Sequence, residues 1–196
     1  MATAAATAKG LAGKTRDARQ LRSDAALRAA LIALIARQSY DKITVRDIVA
    51  EAGVGYATFF RHYPSKDAML DAIASEEIAE MLARTAPLLD PADTRRTCLV
   101  LAEHVGARRD VWSALLTGGA ATHLREQFER LADEMSIAAF PSEWLPRTLG
   151  IRFGVTATIE ILGWWLRDQP DYPLEEVAEL LDRLTIAPTV GALKRG

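Results

Sequence analysis

Cysteine occurs once in the 196 residues, at Cys98, which excludes an internal disulfide and any multi-cysteine zinc site. Histidine is almost as scarce: His62, His104 and His123 have no histidine partner at helical spacing, so no metal centre or other cofactor is expected. Long hydrophobic runs are missing too. The longest uncharged apolar stretch, Ala29 to Ala36, falls far short of the roughly 18 residues of a membrane span. The opening MATAAATAKGLAGKTRDARQLR lacks the apolar core of a secretory signal, and a soluble cytoplasmic protein is expected. Gly118-Gly119 lacks the lysine and hydroxyl residue of a phosphate loop. Ser113, Ser136 and Ser142 sit in no nucleophile elbow, and Glu175-Glu176 reads as a solvated helix face, so no enzyme is expected.

Strand-like alternation is absent as well, and the chain reads as all-α. What is present is a division of charge. Residues 1–66 hold 11 Lys+Arg against 5 Asp+Glu, whereas residues 67–196 hold 13 against 21. A basic head on an acidic body suits a protein of which one end meets a polyanion.

The apolar spacing predicts a first helix through ALRAALIALIARQ, capped by Ser23 or Asp24 and preceded by a basic, flexible arm over residues 1–22. Thr44, with Asp47 three residues on, predicts a capped short helix. A second short helix is expected from Gly55 to Tyr63, where Pro64 stops it. Ser65 then caps a fourth helix running toward Arg84. Val45, Ile48, Val49 and Ala52 form one apolar face, and Val54, Phe59 and Tyr63 form its match, with Gly53 at the turn. That is the pattern of a helix-turn-helix.

In such a motif the start of the second helix faces base edges in the major groove, here Gly55, Tyr56, Ala57 and Thr58. Thr44, Arg46, His62 and Lys66 are candidates for phosphate contacts. Lys14, Arg16, Arg19 and Arg22 of the arm can follow the backbone or enter a minor groove.

From Ser23 to Asp71 the chain resembles the DNA-binding domain of the TetR family of bacterial transcriptional regulators, a match that rests on ALRAALIALIARQSYDKITVRDIVAEAGVGYATFFRHYPSKDAMLDAI. The family's tyrosine or glycine ahead of a T-[TSV]-x-x-I-A segment, its A-G-V-S, its T-[LIF]-Y-x-[HY]-F run and its S/N-K-[ED]-x-L recur in order, nearly complete, over about fifty residues. The resemblance implies phosphate contacts at Lys66 and at position 60, and base reading at the start of the third helix. Two residues depart from the pattern. Gly55 replaces a common serine cap, which costs a few tenths of a kcal/mol. Phe60 stands where tyrosine is common and has no hydroxyl for a phosphate.

Beyond the break PLLDP, four or five more helices are expected: from Asp90-Pro91 with Asp93 in the first turn, from Asp110, from Ala121 to Ala139, from Leu145 to Arg167 and from Leu174 to Leu184. The domains expected are thus the arm 1–22, a helix-turn-helix domain 23–71 whose connecting helix continues to about 86, and a body 87–196. The resemblance implies that the body binds an effector and dimerises. Gly150, Gly154, Ala157, Ile161 and Trp165 make a helical stripe, and Leu174, Val177, Leu181 and Leu184 make a second. Paired with their twofold copies, these stripes would give a four-helix interface; alternatively they face the protomer's own core. The tail IEILGWWLRDQPDYPLEEVAELLDRL also resembles the end of a TetR-like subgroup that carries a WWL segment and an EE-x-A-x-L helix. His104, Trp112, His123, Phe128, Phe153 and Trp164 are candidates to line an effector cavity suited to an apolar or aromatic molecule.

The function expected is a homodimeric, DNA-binding transcriptional regulator, a repressor released from a near-palindromic operator when a small molecule binds the body. Its rival is a helical ligand-binding or enzyme-like module in which the helix-turn-helix is scaffolding. Operator sequence, regulated genes and effector identity are not encoded in any motif.

Overall fold

The computed structural model describes the backbone of residues 2–90, 92–117, 121–134 and 145–190, and within these all side chains except those of residues 2–17, 117, 121–123, 131–134, 147 and 190. Every regular element among the described residues is helical. The chain divides into two compact units, Met1–Met69 and Leu70–Gly196.

In the first unit α1 spans Ala2–Ile35. Residues 2–22, expected as a flexible arm, thus continue the helix, and Ser23 and Asp24 lie within it rather than capping it. Ala- and Leu-rich sequence with no proline allows this continuation. The side chains of Lys14 and Arg16 lie outside the described residues; Arg19 and Arg22 are exposed. Leu27, Ala30, Leu31, Leu34 and Ile35 bury one face of α1. Against it packs α2 (Val45–Ala52), through the buried Ile48 and Val49.

The start of α2 is fixed by a reciprocal cap. The Asp47 amide donates to Thr44 Oγ1 at 3.3 Å, and the Thr44 amide donates to Asp47 Oδ2 at 2.9 Å. Its end is fixed by Gly53 at φ 64°, the left-handed region glycine enters without a Cβ penalty. There the Val54 amide reaches the Val49 carbonyl at 3.0 Å and the Gly53 amide reaches Ala50 at 3.3 Å, the paired bonds of a Schellman turn. After it comes α3 (Tyr56–His62), which ends at the extended Tyr63 ahead of Pro64. Ser65 Oγ accepts from the Ala68 amide at 3.0 Å and starts α4 (Lys66–Thr85), whose first turn completes this unit.

In the second unit the remainder of α4 is followed by α5 (Thr94–Ala107), α6 (Arg109–Thr117), α7 (Ala121–Glu134), α8 (Arg147–Arg167), α9 (Leu174–Leu181) and, after a π-helical stretch Asp182–Ile186, α10 (Ala187–Val190). Residues 70 and 71, expected to end the helix-turn-helix domain, and the connecting helix expected to continue from it to about 86 therefore group with the body. Asp93 caps α5 rather than lying in its first turn, accepting from the Arg96 amide at 3.4 Å. The end of the helix expected to reach Ala139 lies outside the described residues.

Helix α5 lies along α9, and α8 packs on α6 and α7. Met81, Cys98, Leu101, Val105, Leu115, Trp165, Val177 and Leu181 fill the core. The turn between α8 and α9 is stapled. Trp165 Nε1 donates to the Tyr172 carbonyl at 3.0 Å, and Arg109 lies 4.5 Å over the Trp165 ring while donating to the Pro170 carbonyl at 2.9 Å.

Candidate nucleic-acid interface

Helix α3 buries one side and exposes the other. Phe59 is fully buried and Tyr63 almost so, whereas Gly55, Tyr56 and Ala57 are exposed and Thr58 is half-buried. Tyr56, 48 % exposed, stacks on Phe60, 54 % exposed, with ring centroids 6.4 Å apart. One turn along from Ala57 stands the exposed Arg61, a cation that sequence reasoning passed over. Its signal was the helical spacing: residues 56, 57, 60 and 61 share the face opposite Phe59. No side chain caps the start of α3, as Gly55 implies, so its first amides are not taken by a residue of that type.

Beside α3, Thr44 and Arg46 at the start of α2 are exposed. The Asp47 carboxyl is held below the usual carboxylate range by the Thr44 hydroxyl first and the Thr44 amide second, so the cap is charged at neutral pH.

Two of the proposed phosphate ligands also make contacts within the fold. The Lys66 ammonium donates to the carbonyls of Tyr40 and Ile43, each at 3.0 Å, and lies 4.3 Å over the Tyr40 ring. His62 is turned inward, its side chain 6 % exposed, with Nε2 2.8 Å from Ser23 Oγ and Nδ1 3.7 Å from Asp24. It stands apart from the outward set because α3 ends there and its last turn packs on α1. The same contact holds Tyr63, whose hydroxyl donates to Asp24 and accepts from Arg28 Nε at 3.0 Å. Burial first, and the bond to Asp24 second, push the Tyr63 phenol up to about 12.

Residues 27–73 match the model of the bacterial regulatory proteins of the tetR family. The match marks this domain, about a quarter of the chain, as similar to the DNA-binding domain of that family. No curated protein matches the sequence. Solved structures do match in fold. A TetR transcriptional regulator from Streptococcus agalactiae is 21 % identical, with 88 % of this chain and 99 % of that one covered at a TM-score of 0.64. A putative TetR-family regulator from Syntrophomonas wolfei is 14 % identical, with coverage of 89 % and 98 % and a TM-score of 0.66. Thermus thermophilus FadR, a TetR-family repressor solved with lauroyl-CoA, is 21 % identical, with coverage of 88 % and 96 % and a TM-score of 0.54. At these identities the likeness is one of fold. The TetR-type regulator fold thus extends over both units, and among the described residues no helix is long and apolar enough to cross a membrane.

The body distributes the remaining candidates differently from their sequence grouping. Trp165, Val177 and Leu181, expected at a dimer interface, are buried inside the protomer. Gly150, Gly154, Ala157 and Ile161 lie on the half-exposed flank of α8, and Leu184 is exposed. The outermost face of α8 carries Leu149 and Phe153, 55 % and 52 % exposed. Phe153 therefore does not line an internal cavity of the protomer. Trp164 is half-exposed, edge-on to Tyr172 at 5.2 Å. Phe128 is half-buried, and the His123 side chain lies outside the described residues. His104 and Trp112 are deeply buried, their rings 6.1 Å apart.

Proposed function

We propose that this protein is a homodimeric transcriptional repressor of the TetR family that reads a near-palindromic operator with paired α3 helices and releases it when a small apolar molecule binds the body. The observation that carries this reading is the outward face of α3. Gly55, Tyr56 and Ala57 are exposed at its start, with the half-buried Thr58 and the exposed Phe60 and Arg61 beside them, while Phe59 and Tyr63 anchor it from behind. Small residues at 55 and 57 let the backbone approach base edges, Tyr56 and Thr58 can hydrogen-bond them, and Thr44, Arg46 and Arg61 flank them as phosphate donors. Phe60 has no polar atom, so its part is to stack on Tyr56 and pack on the sugar–phosphate edge.

For the dimer, the reading takes the exposed face of α8, with Leu149 and Phe153 flanked by Gly150, Gly154, Ala157 and Ile161, together with Leu184. Small residues beside large ones let a second helix come close. For the effector, two relatives in fold were solved with acyl-CoAs, Thermus thermophilus FadR with lauroyl-CoA and Bacillus subtilis FadR with stearoyl-CoA, which favours a ligand with an apolar body. Ligand binding that favours one dimer geometry shifts the spacing of the α3 helices and lowers operator affinity.

A titration of duplex DNA binding against salt tests the reading. Each phosphate neutralised contributes about −0.9 to the log–log slope, so several contacts give a steep fall in affinity. A flat response, or no duplex binding at low salt, would leave the helix-turn-helix as scaffolding.

A further inference from the structure

Inside the second unit two buried rings with centroids 6.1 Å apart each carry a nitrogen without a hydrogen bond among the described residues: His104 Nε2 on α5 and Trp112 Nε1 on α6. His104 is 5 % exposed and Trp112 1 %, and the rings meet edge to face at 78°. Among the described residues the other fully buried tryptophan, Trp165, has its indole N–H satisfied by a backbone carbonyl. Buried polar atoms are nearly always paired, so two left open on neighbouring rings ask for a partner from outside the described residues.

We propose that His104 and Trp112 are the polar anchor of a ligand site in the helical body, and that they recognise a neutral oxygen, the hydroxyl or carbonyl of an otherwise apolar molecule. The proposal deepens the effector part of the regulator reading and rests on it. An indole N–H only donates, so the ligand atom must accept a hydrogen bond, which excludes an ammonium group. Burial, the dominant influence, lowers the His104 pKa and keeps its imidazole neutral. A neutral Nε2 donates or accepts according to tautomer, so a carbonyl oxygen that accepts from both rings fits, and so does a hydroxyl that accepts from Trp112 and donates to His104.

A carboxylate does not fit, because the nearby cations are already neutralised. Arg108 pairs with Glu77 at 2.5 Å and with Glu80 at 3.0 Å, and Arg84 pairs with Glu80 at 2.8 Å. A water held by these two nitrogens alone would have fewer than the about three partners usual for buried water.

The test uses the full chain labelled with 15N in its indoles, the Trp112 signal being assigned with Trp112→Phe. Cyclohexanol, cyclohexanone, cyclohexanecarboxylate, cyclohexylammonium and methylcyclohexane are titrated in turn, so that one skeleton carries five head groups. The expected result is a saturable shift of the Trp112 indole N–H with the alcohol and the ketone alone. His104→Phe should weaken that binding about tenfold, and His104→Gln should restore part of it. No saturable shift with either neutral oxygen compound overturns the proposal, as do equal binding by the carboxylate and unchanged affinity in His104→Phe. Duplex DNA binding is measured on the same sample. DNA binding without a probe response removes the ligand site alone, whereas a probe response without DNA binding removes the regulator reading and leaves the site.

Discussion

Two of the three N–H donors on the Lys66 ammonium go to the carbonyls of Tyr40 and Ile43. These carbonyls belong to the short 3-10 turn Tyr40–Lys42 and the residue after it, just ahead of the Thr44 cap. Lys66 thus helps to fix the segment that positions α2, and a third donor is left for a phosphate. Lys66→Ala should therefore lower the stability of the first unit by about 1–2 kcal/mol, as expected for charged hydrogen bonds, and weaken binding to all DNA sequences alike. Urea unfolding gives the first quantity. The salt dependence separates the two roles: a slope reduced by about 0.9 means a lost phosphate contact, and an unchanged slope means that Lys66 acts only through the turn. Tyr56→Ala should behave differently. It removes an exposed hydroxyl and ring at the start of α3, so preference among operator variants should change by more than overall affinity. A selection of bound sequences from a random pool that returns the same motif for both proteins would move base reading to other residues.

Tyr63 makes a pH statement at the same scale. Its phenol titrates near 12 in the fold against 10.0 when free, so an unfolded chain releases the proton first as pH rises. The stability linked to Tyr63 is complete below pH 10 and is lost as pH climbs from there through about 12. The urea midpoint should fall across that window in the native protein, and Tyr63→Phe should flatten the part of the fall that belongs to this group.

Among the elements, the helix-turn-helix was the most legible because its signals are local. Thr44 and Asp47 specify the start of α2, Gly53 its left-handed end and Pro64 the end of α3, and each acts within four residues of its position. Thr44→Ala should accordingly cost about 1 kcal/mol, the usual worth of a lost N-cap, and a thermal melt followed at the first unit checks it. Helix α1 begins ahead of its apparent cap for the complementary reason. Ser23 looks like a cap, but capping depends on whether the chain before it is already helical, and Ser23 Oγ instead bonds back to the Gln20 carbonyl at 2.9 Å. In α8 the difficulty is that apolar residues occur on nearly every side, so spacing alone does not choose the inner face. The stripe from Gly150 to Trp165 also drifts. Fifteen residues at 3.6 per turn leave Trp165 about 60° around from Gly150, enough to carry its ring inward while the glycine stays at the surface. Nothing local marks His104 and Trp112 as a pair, since they come together only when α5 and α6 fold on each other.

For the whole molecule, the decisive question is what covers the outer face of α8. Leu149 and Phe153 are each more than half exposed on one helix, and a monomer gains nothing from keeping such a pair in water. If the face is the twofold contact, each substitution enters the interface twice, and a charge at its centre meets its own copy. Phe153→Glu should then yield monomers in analytical ultracentrifugation. Far-UV circular dichroism should not change, because the side chain has no buried role in the protomer. Operator affinity should fall by roughly 10²–10⁴-fold, the worth of linking two half-site contacts, while binding of one recognition helix to an isolated half-site stays as weak as before. A Phe153→Glu protein that remains dimeric, and remains so with Leu149→Glu added, would place the contact on another surface and leave this apolar face without the partner assigned to it.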